Sequence, residues 1–154
     1  MAETLSLPTR ARTRSLAQRL ARSLVGRALL LLEGDLGAGK TAFTRYLAEA
    51  LGIAPSWVSS PSLTLVQRYP EGEAGLAVIH VDLYRCAGFS DLEALGLEEA
   101  LASNDLVVVE WPGAGERLWR SSGRPLWRLA FQGTGKSRRV VVEGPGRLTP
   151  GTPR

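Results

Sequence analysis

Short continuous runs of apolar residues recur along the chain, and each is bounded by polar or glycine-rich segments. The runs at 28–32 and 106–109 have the length of buried strands, because a membrane span needs about 18 apolar residues. The run at 106–109 predicts a central strand of a sheet. No apolar segment follows the N-terminus as in a secretory signal, so we expect a cytoplasmic protein that does not bind a membrane.

Alternating apolar and polar residues predict a hairpin in the middle of the chain. Residues 62–69 and the extended run 76–81 flank a turn at 70–75, and together they predict an antiparallel pair of strands. Three further strands are predicted, at 57–59, 125–131 and 139–143.

Apolar residues spaced three or four apart predict helices between these strands. Leucines four residues apart predict one helix from about Thr13, and the segment 41–51 predicts a second. The acidic segment 91–102 predicts a short helical region that can break at Gly96.

The segment after the first apolar run spells a phosphate-binding loop, Gly-Asp-Leu-Gly-Ala-Gly-Lys-Thr at 34–41. Glycines let the backbone approach a ligand closely, and N–H groups at the start of the following helix form a site for an anion. In this motif Lys40 contacts the terminal phosphates and the hydroxyl of Thr41 binds a magnesium ion. A glycine-rich turn with an accidental lysine is the alternative, but Lys40 is one of only two lysines among 154 residues.

Strands that alternate with helices around a P-loop predict an α/β fold. We expect a single-domain P-loop NTPase with a mixed, mostly parallel central sheet and flanking helices. The domain is expected over residues 9–144, after a loose leader at 1–8 and before a disordered, Gly/Pro-rich tail at 145–154.

The net charge of +4 comes with arginines that concentrate towards both ends of the chain. Such clusters suit RNA or an acidic partner surface, but they are more often the solvated faces of helices and strands. The only cysteine, Cys86, excludes an internal disulfide and fits a reducing compartment. Composition therefore permits nucleic-acid binding without establishing it.

Hydrolysis at a P-loop also needs a carboxylate for the metal and a group that orients the nucleophile. Two apolar strands end in an acid, Asp82 and Glu110, and ligands lie at the carboxyl ends of parallel strands. One such acid is usually only a polar strand end, but two favour a shared site. His80, the only histidine, is either a general base or a half-buried residue that packs and orients its neighbour. The loop at 60–62 can sense a γ-phosphate or be an ordinary turn.

Four blocks occur in a fixed order: Gly-Asp-Leu-Gly-Ala-Gly-Lys-Thr (34–41), Ser-Pro-Ser-Leu-Thr-Leu-Val (60–66), His-Val-Asp-Leu-Tyr-Arg (80–85) and Val-Glu-Trp-Pro (109–112). Together they closely resemble the bacterial TsaE (YjeE) family, over residues 13–143. Its members are small ATPases required to form threonylcarbamoyladenosine next to the anticodon of tRNAs that read codons beginning with A. The resemblance implies that this chain binds ATP and Mg²⁺. It also implies a weak ATPase that depends on the partner proteins TsaD and TsaB, with tRNA reached through the complex.

The resemblance also implies roles for single residues. It implies magnesium binding by Thr41 and Glu110, a catalytic role for Lys40, and a catalytic or metal-positioning role for Asp82. The nucleotide-binding positions that it implies are Thr13, Asp35, Leu36, Gly37, Ala38, Gly39, Lys40, Thr41, Ala42, Trp111 and Lys136. Lys136 falls where the family often has an arginine. Ser62 and Gln67-Arg68 depart from the family pattern, but they remove no phosphate or metal ligand.

Two other functions stay open from the residues alone. A small-metabolite kinase of the shikimate kinase type has a similar length and P-loop, but it needs an acceptor pocket and an arginine-bearing lid, which the pattern does not predict. An RNA-binding module whose P-loop only stabilises the fold suits the basic ends. The aromatic signatures expected of single-strand readers are missing from the sequence, however.

Overall fold

Seven strands and five helices follow one another along the described residues, 2–24, 26–58, 65–86 and 88–151, of this computed structural model. They are β1 (Ala2–Ser6), α1 (Arg10–Ser23), β2 (Leu29–Glu33), α2 (Lys40–Ala50), β3 (Val66–Tyr69), β4 (Val78–Asp82), α3 (Phe89–Ala94), α4 (Leu97–Ala102), β5 (Leu106–Glu110), α5 (Glu116–Ser121), β6 (Leu126–Gln132) and β7 (Arg139–Glu143). Short 3-10 turns occur at Pro55–Trp57, Pro112–Gly115 and Gly135–Ser137.

The strands form one sheet in the order β1-β7-β6-β2-β5-β4-β3. The four inner strands β6, β2, β5 and β4 run in parallel, whereas β7, β1 and β3 pair antiparallel with their neighbours. The predicted α/β fold with a mixed, mostly parallel central sheet is therefore confirmed. Parallel strands bring their carboxyl ends to one edge, so the segments that leave β2, β4 and β5 lie close together.

Helices cover both faces of the sheet, because successive residues of a strand point to opposite sides. Leu30 and Leu32 of β2 belong to a buried cluster with residues of α1 and α2, such as Leu20 and Phe43. Leu29 and Leu31 belong to a second cluster with residues of α4 and α5. The apolar run of β2 is thus continuous because both of its faces are buried.

The expected loose leader at 1–8 is corrected by the structure. Ala2–Ser6 forms β1, which pairs antiparallel with β7 along its whole length, and Leu7 is buried. β7 would otherwise be an edge strand with unpaired backbone N–H and C=O groups, and β1 supplies their partners. A strand of five residues is too short to show a clear periodicity, and its partner lies far away in the sequence, at 139–143. The sequence therefore does not predict it.

The expected disordered tail at 145–154 is corrected over its described part. Leu148 is buried, and Thr149 donates its backbone N–H to Ser23 Oγ at 2.7 Å. Arg19 Nε donates to the carbonyl of Thr149 at 3.0 Å. Side chains of α1 therefore order this segment, which its Gly/Pro-rich composition does not reveal. Residues 152–154 lie outside the described residues.

Most predicted elements are confirmed, with three differences besides β1. The strand expected at 57–59 is wrong where described, because Trp57 N–H bonds to the carbonyl of Ala54 and closes a 3-10 turn. The strand expected at 62–69 is described only from Val66, since 59–64 lie outside the described residues. Helix α5 was not predicted. Gly96, with φ of 70°, separates α3 from α4 as expected.

Candidate functional site

The glycine-rich loop joins the carboxyl end of β2 to the start of α2. Gly37 and Gly39 have φ of 76° and 110°, in the left-handed region that favours glycine. Gly39 is the N-cap of α2 and supplies no side chain to bond the first amides of the helix. The loop therefore leaves N–H groups at the positive end of the α2 dipole, where an anion is stabilised.

Lys40 is folded back into this loop. Its ammonium donates to the carbonyl of Gly34 and, at 3.0 Å, to the carbonyl of Asp35. Its Nζ also lies 4.2 Å from the ring centroid of Trp111, and the residue is only 5% exposed. Burial lowers the pKa of Lys40, and the charges of Glu110, Asp82 and Asp35 oppose that shift. Carbonyl oxygens and an aromatic face thus surround the lysine charge.

The two acids that end apolar strands lie beside each other. Because β4 and β5 are parallel neighbours, Asp82 and Glu110 are directly paired in register. Glu110 is 2% exposed, and its Oε1 accepts a hydrogen bond from Thr41 Oγ1 at 3.1 Å. Asp82 Oδ1 accepts from the backbone N–H of Tyr84 at 2.9 Å. Glu110 therefore contacts the first turn of α2, and Asp82 lines the cavity in front of that turn.

His80 is completely buried on β4. Its Nε2 lies 2.8 Å from Glu110 Oε2, and its Nδ1 lies 2.9 Å from the hydroxyl oxygen of Tyr69. Of the alternatives that the sequence left open, the structure favours a residue that packs and orients a neighbour. That neighbour is Glu110 on the adjacent strand β5. The spacing in the sequence had indicated Asp82 instead.

A cavity of about 480 Å³ opens at this edge of the sheet, within the range of small-ligand sites. Its lining comprises Leu36, Gly37, Ala38, Gly39, Lys40, Thr41, Ala42, Leu65, Asp82, Tyr84, Arg85, Glu110 and Trp111. The Tyr84 and Trp111 rings have centroids 4.8 Å apart. Trp111 has a positive φ of 58°, which is rare for a non-glycine residue and marks a strained position.

Sequence reasoning missed Leu65, Tyr84 and Arg85 as lining residues. Each lies in one of the motif blocks, but none has a role that its residue type alone would indicate. Residues 59–64, which precede Leu65, lie outside the described residues, and they include the predicted γ-phosphate sensor at 60–62.

Three of the predicted nucleotide-binding residues do not line the cavity. Asp35 starts the loop and contributes its carbonyl to Lys40. Thr13 is buried on α1, which packs on α2. Lys136 is exposed in the turn Gly135–Ser137. Their roles stay predictions.

Arg138, two residues beyond Lys136, packs against the loop instead. A Cβ placed on Gly39 would lie 3.8 Å from Arg138 Nε. That Nε is buried and has no hydrogen-bond partner among the described residues. A buried donor without a partner is unusual, so Arg138 presents an unused cationic N–H beside the loop.

Tyr69 is expected to titrate at a higher pH than an ordinary phenol. Burial, with a smaller effect of the Glu110 charge, raises the pKa of Tyr69 to about 12. Since the folded-state pKa exceeds the ordinary value of 10.0, the stability that this phenol contributes is fully present below that value. It is lost as the pH rises towards 12. Phenolate absorbance should show a phase near pH 12 that Tyr69→Phe removes; survival of that phase in Tyr69→Phe would contradict the expectation.

The described residues, 2–24, 26–58, 65–86 and 88–151, contain neither a cluster of metal-ligating side chains nor a membrane-spanning helix. Within them, no group of three or more His, Cys, Asp and Glu side chains is arranged to hold a metal ion. None of the helices found there is both long and apolar enough to cross a membrane.

Comparisons with known proteins point in one direction. A family model described as threonylcarbamoyl adenosine biosynthesis protein TsaE matches residues 7–141. A Streptomyces coelicolor protein named tRNA threonylcarbamoyladenosine biosynthesis protein TsaE is 41% identical over 99 residues, 64% of this chain and 66% of its own length. A Treponema pallidum protein of the same name is 34% identical over 140 residues, 86% of this chain and 93% of its own length.

A solved structure agrees with these sequence matches. The crystal structure of Bacillus subtilis YdiB superposes with a TM-score of 0.66 at 27% identity, covering 95% of this chain and 87% of that chain. The matched segment covers just under two thirds of the Streptomyces protein and about half of the Rickettsia conorii and Bacillus subtilis relatives of the same name.

Proposed function

Because this chain belongs to the TsaE family, as its ordered motifs predicted, we propose that it is a weak, Mg²⁺-dependent ATPase of tRNA threonylcarbamoyladenosine formation. It acts in the cytoplasm with TsaD and TsaB, reaches tRNA through that complex, and does not itself transfer the threonylcarbamoyl group. One observation carries the ATPase assignment: Thr41, Asp82 and Glu110, from three separate elements, converge on one cavity at the P-loop.

The loop supplies the binding site for the phosphates of ATP. Uncapped N–H groups at the start of α2 favour negative charge, and Lys40 holds a positive charge in the same place. The carbonyls of Gly34 and Asp35 that now accept from Lys40 are weaker partners than phosphate oxygens, because an ammonium bonds more strongly to an anionic oxygen than to a neutral one. We therefore expect the ammonium to leave the carbonyls for the phosphates.

The oxygen atoms of Thr41 and Glu110 fit a magnesium ion. Mg²⁺ prefers oxygen ligands, and at nucleotide sites it is held by one or two carboxylates together with phosphates. The absence of a cluster of three ligating side chains among the described residues agrees with this mode of binding. When bound, the ion would neutralise negative charge on the phosphates.

Asp82 is assigned the role of positioning the attacking water. One of its oxygens is held by the N–H of Tyr84, and the residue lines the cavity beside Glu110. A carboxylate that is fixed in this way can accept a hydrogen bond from water in a constant direction. Trp111 and Tyr84 supply an apolar wall that limits the access of other water molecules.

Arg138 is expected to contact the nucleotide in place of Lys136. Replacing Arg138 with alanine should weaken the binding of a fluorescent ATP analogue about 10- to 100-fold, the effect of one charge-assisted hydrogen bond. Arg139→Ala is the matched control, since Arg139 is exposed and bonds to Gln132. A loss of affinity in Lys136→Ala but not in Arg138→Ala would instead support Lys136 as the nucleotide-binding residue, as the family resemblance implies.

The proposed function is tested by phosphate release from Mg-ATP. The purified protein is measured alone and then with TsaB, TsaD and tRNA. We expect a low rate that rises with the partners. A rate that is indifferent to them would contradict the coupled ATPase. Formation of ADP without release of phosphate, in the presence of a small-molecule acceptor, would favour the kinase, because a kinase transfers the phosphoryl group to the acceptor.

A further inference from the structure

A buried hydrogen-bond network runs from strand β3 to the P-loop. It consists of Tyr69, His80, Glu110 and Thr41, joined by contacts of 2.9, 2.8 and 3.1 Å in that order. Tyr69 and Glu110 are almost wholly buried, and His80 has no exposed surface. Buried polar groups are costly unless each has a partner, so the direction of every hydrogen bond in this network is constrained.

With Glu110 taken as ionised and His80 as neutral, the protons follow from counting donors and acceptors. An ionised Glu110 carboxylate can only accept, and Thr41 already donates to its Oε1. The contact at Oε2 must therefore be a donation from His80 Nε2–H. A neutral imidazole with its proton on Nε2 accepts at Nδ1, and the donor there is the hydroxyl of Tyr69.

Tyr69 is suited to this donor role. Burial keeps its phenol protonated by raising the pKa to about 12. The hydroxyl also lies 3.2 Å from Gln67 Oε1, a longer contact than the 2.9 Å to Nδ1. Since amide orientation is an assignment, the Gln67 amide can instead direct its NH₂ group at the phenol oxygen.

We infer that His80 and Tyr69 are positioning residues that hold Glu110 in the orientation in which Oε1 meets the Thr41 hydroxyl, ready to bind Mg²⁺. The inference deepens the proposed function and rests on its Mg-ATP site. His80 fixes Oε2, so the carboxylate cannot rotate and the two proposed magnesium ligands stay next to each other. Tyr69 fixes the tautomer of His80. Neither side chain lines the cavity, so both act through Glu110.

This arrangement predicts a specific defect when the network is broken. The affinity for magnesium should fall, whereas phosphate binding by the loop and Lys40 should persist. Replacing a residue that hydrogen-bonds to a metal ligand typically lowers the metal affinity 10- to 100-fold. A purely structural role of His80 would instead lower stability without separating the two affinities.

The first experiment compares His80→Leu with His80→Gln. Leucine removes the donor to Glu110, whereas the glutamine amide can replace the Nε2–H. Binding of a fluorescent ATP analogue is measured against Mg²⁺ concentration and again in EDTA. We expect His80→Leu to need about 10- to 100-fold more Mg²⁺ for half-saturation, with unchanged affinity in EDTA. His80→Gln should stay within a few-fold of the wild type.

The inference would be overturned if both variants required the same Mg²⁺ concentration as the wild type. It would also be overturned if the required Mg²⁺ concentration rose equally in both variants. A circular-dichroism melt checks that each variant is folded. If His80→Leu does not fold, Tyr69→Phe takes its place. This variant keeps the ring, and we expect it to raise the Mg²⁺ requirement several-fold; an unchanged requirement would overturn the role of Tyr69.

The second experiment uses the single histidine of the chain and needs no nucleotide. In the ¹⁵N-labelled wild type, the imidazole signals belong to His80 alone. We expect a proton on Nε2 and an unprotonated Nδ1, and a changed Nδ1 signal in Tyr69→Phe. A proton on Nδ1 would overturn the assignment. Failure of the wild type to bind Mg-ATP would instead contradict the proposed function. The NMR measurement needs no nucleotide, so a failed inference can be distinguished from a failed proposed function.

Discussion

Replacing Lys40 with alanine is expected to lower ATP hydrolysis about 100- to 1000-fold, the usual loss when one preorganised charge at the reacting group is removed. Lys40 holds the only ammonium in the lining of the cavity among the described residues, where it lies against the loop and over Trp111. Burial has already removed most of its water, so its interaction with phosphate is strong. Phosphate release from Mg-ATP measures the effect.

The same variant should remain folded. The carbonyls of Gly34 and Asp35 lose one donor each, but the adjoining cavity lets water replace it, so we expect a loss of stability of about 1 kcal/mol or less. Far-UV circular dichroism checks the fold. Hydrolysis near the wild-type rate in folded Lys40→Ala would contradict the ATPase. If complementation in cells were also unaffected, the RNA-binding module with a structural P-loop would be favoured.

Replacing Arg124 with alanine is expected to destabilise the fold by about 3 kcal/mol or more, because all the hydrogen bonds of a buried guanidinium are lost at once. Arg124 is 7% exposed, and among the described residues its guanidinium donates to six backbone carbonyls. These are the carbonyls of Arg27, Ala28, Ala100, Leu101, Ser103 and Asp105. The side chain thus satisfies the C-terminal end of α4 and ties it to the segments that begin β2 and β5.

Urea unfolding measures this loss, and Arg120→Ala is the matched control. The Arg120 side chain is 75% exposed and pairs with Glu116 one helical turn away, an interaction that contributes only a few tenths of a kcal/mol. Arg124→Lys should also be destabilised, since an ammonium has three donors for six carbonyls. A loss below about 1 kcal/mol in Arg124→Ala would mean that water replaces the guanidinium without penalty.

The sequence by itself determined the centre of the fold and of the candidate site. The run at 28–32, the P-loop and the helix after it are local in sequence, and their conformations depend on neighbouring residues, so the motif sufficed to predict them. Asp82 and Glu110 were also predicted together, because the end of each apolar run marks the same edge of a parallel sheet.

Only the tertiary structure decided which distant residues meet. His80 bonds to Glu110, and not to the residue two positions away, because β4 lies beside β5. Arg138 packs next to the loop, and Arg124 caps the end of α4 from a buried position. Nothing in the local sequence distinguishes either residue from the other arginines. Strand β1 formed where a loose leader was expected, because the free edge of β7 lies beside it. Such contacts join residues far apart in sequence, and their energies depend on burial and geometry, which no local pattern encodes.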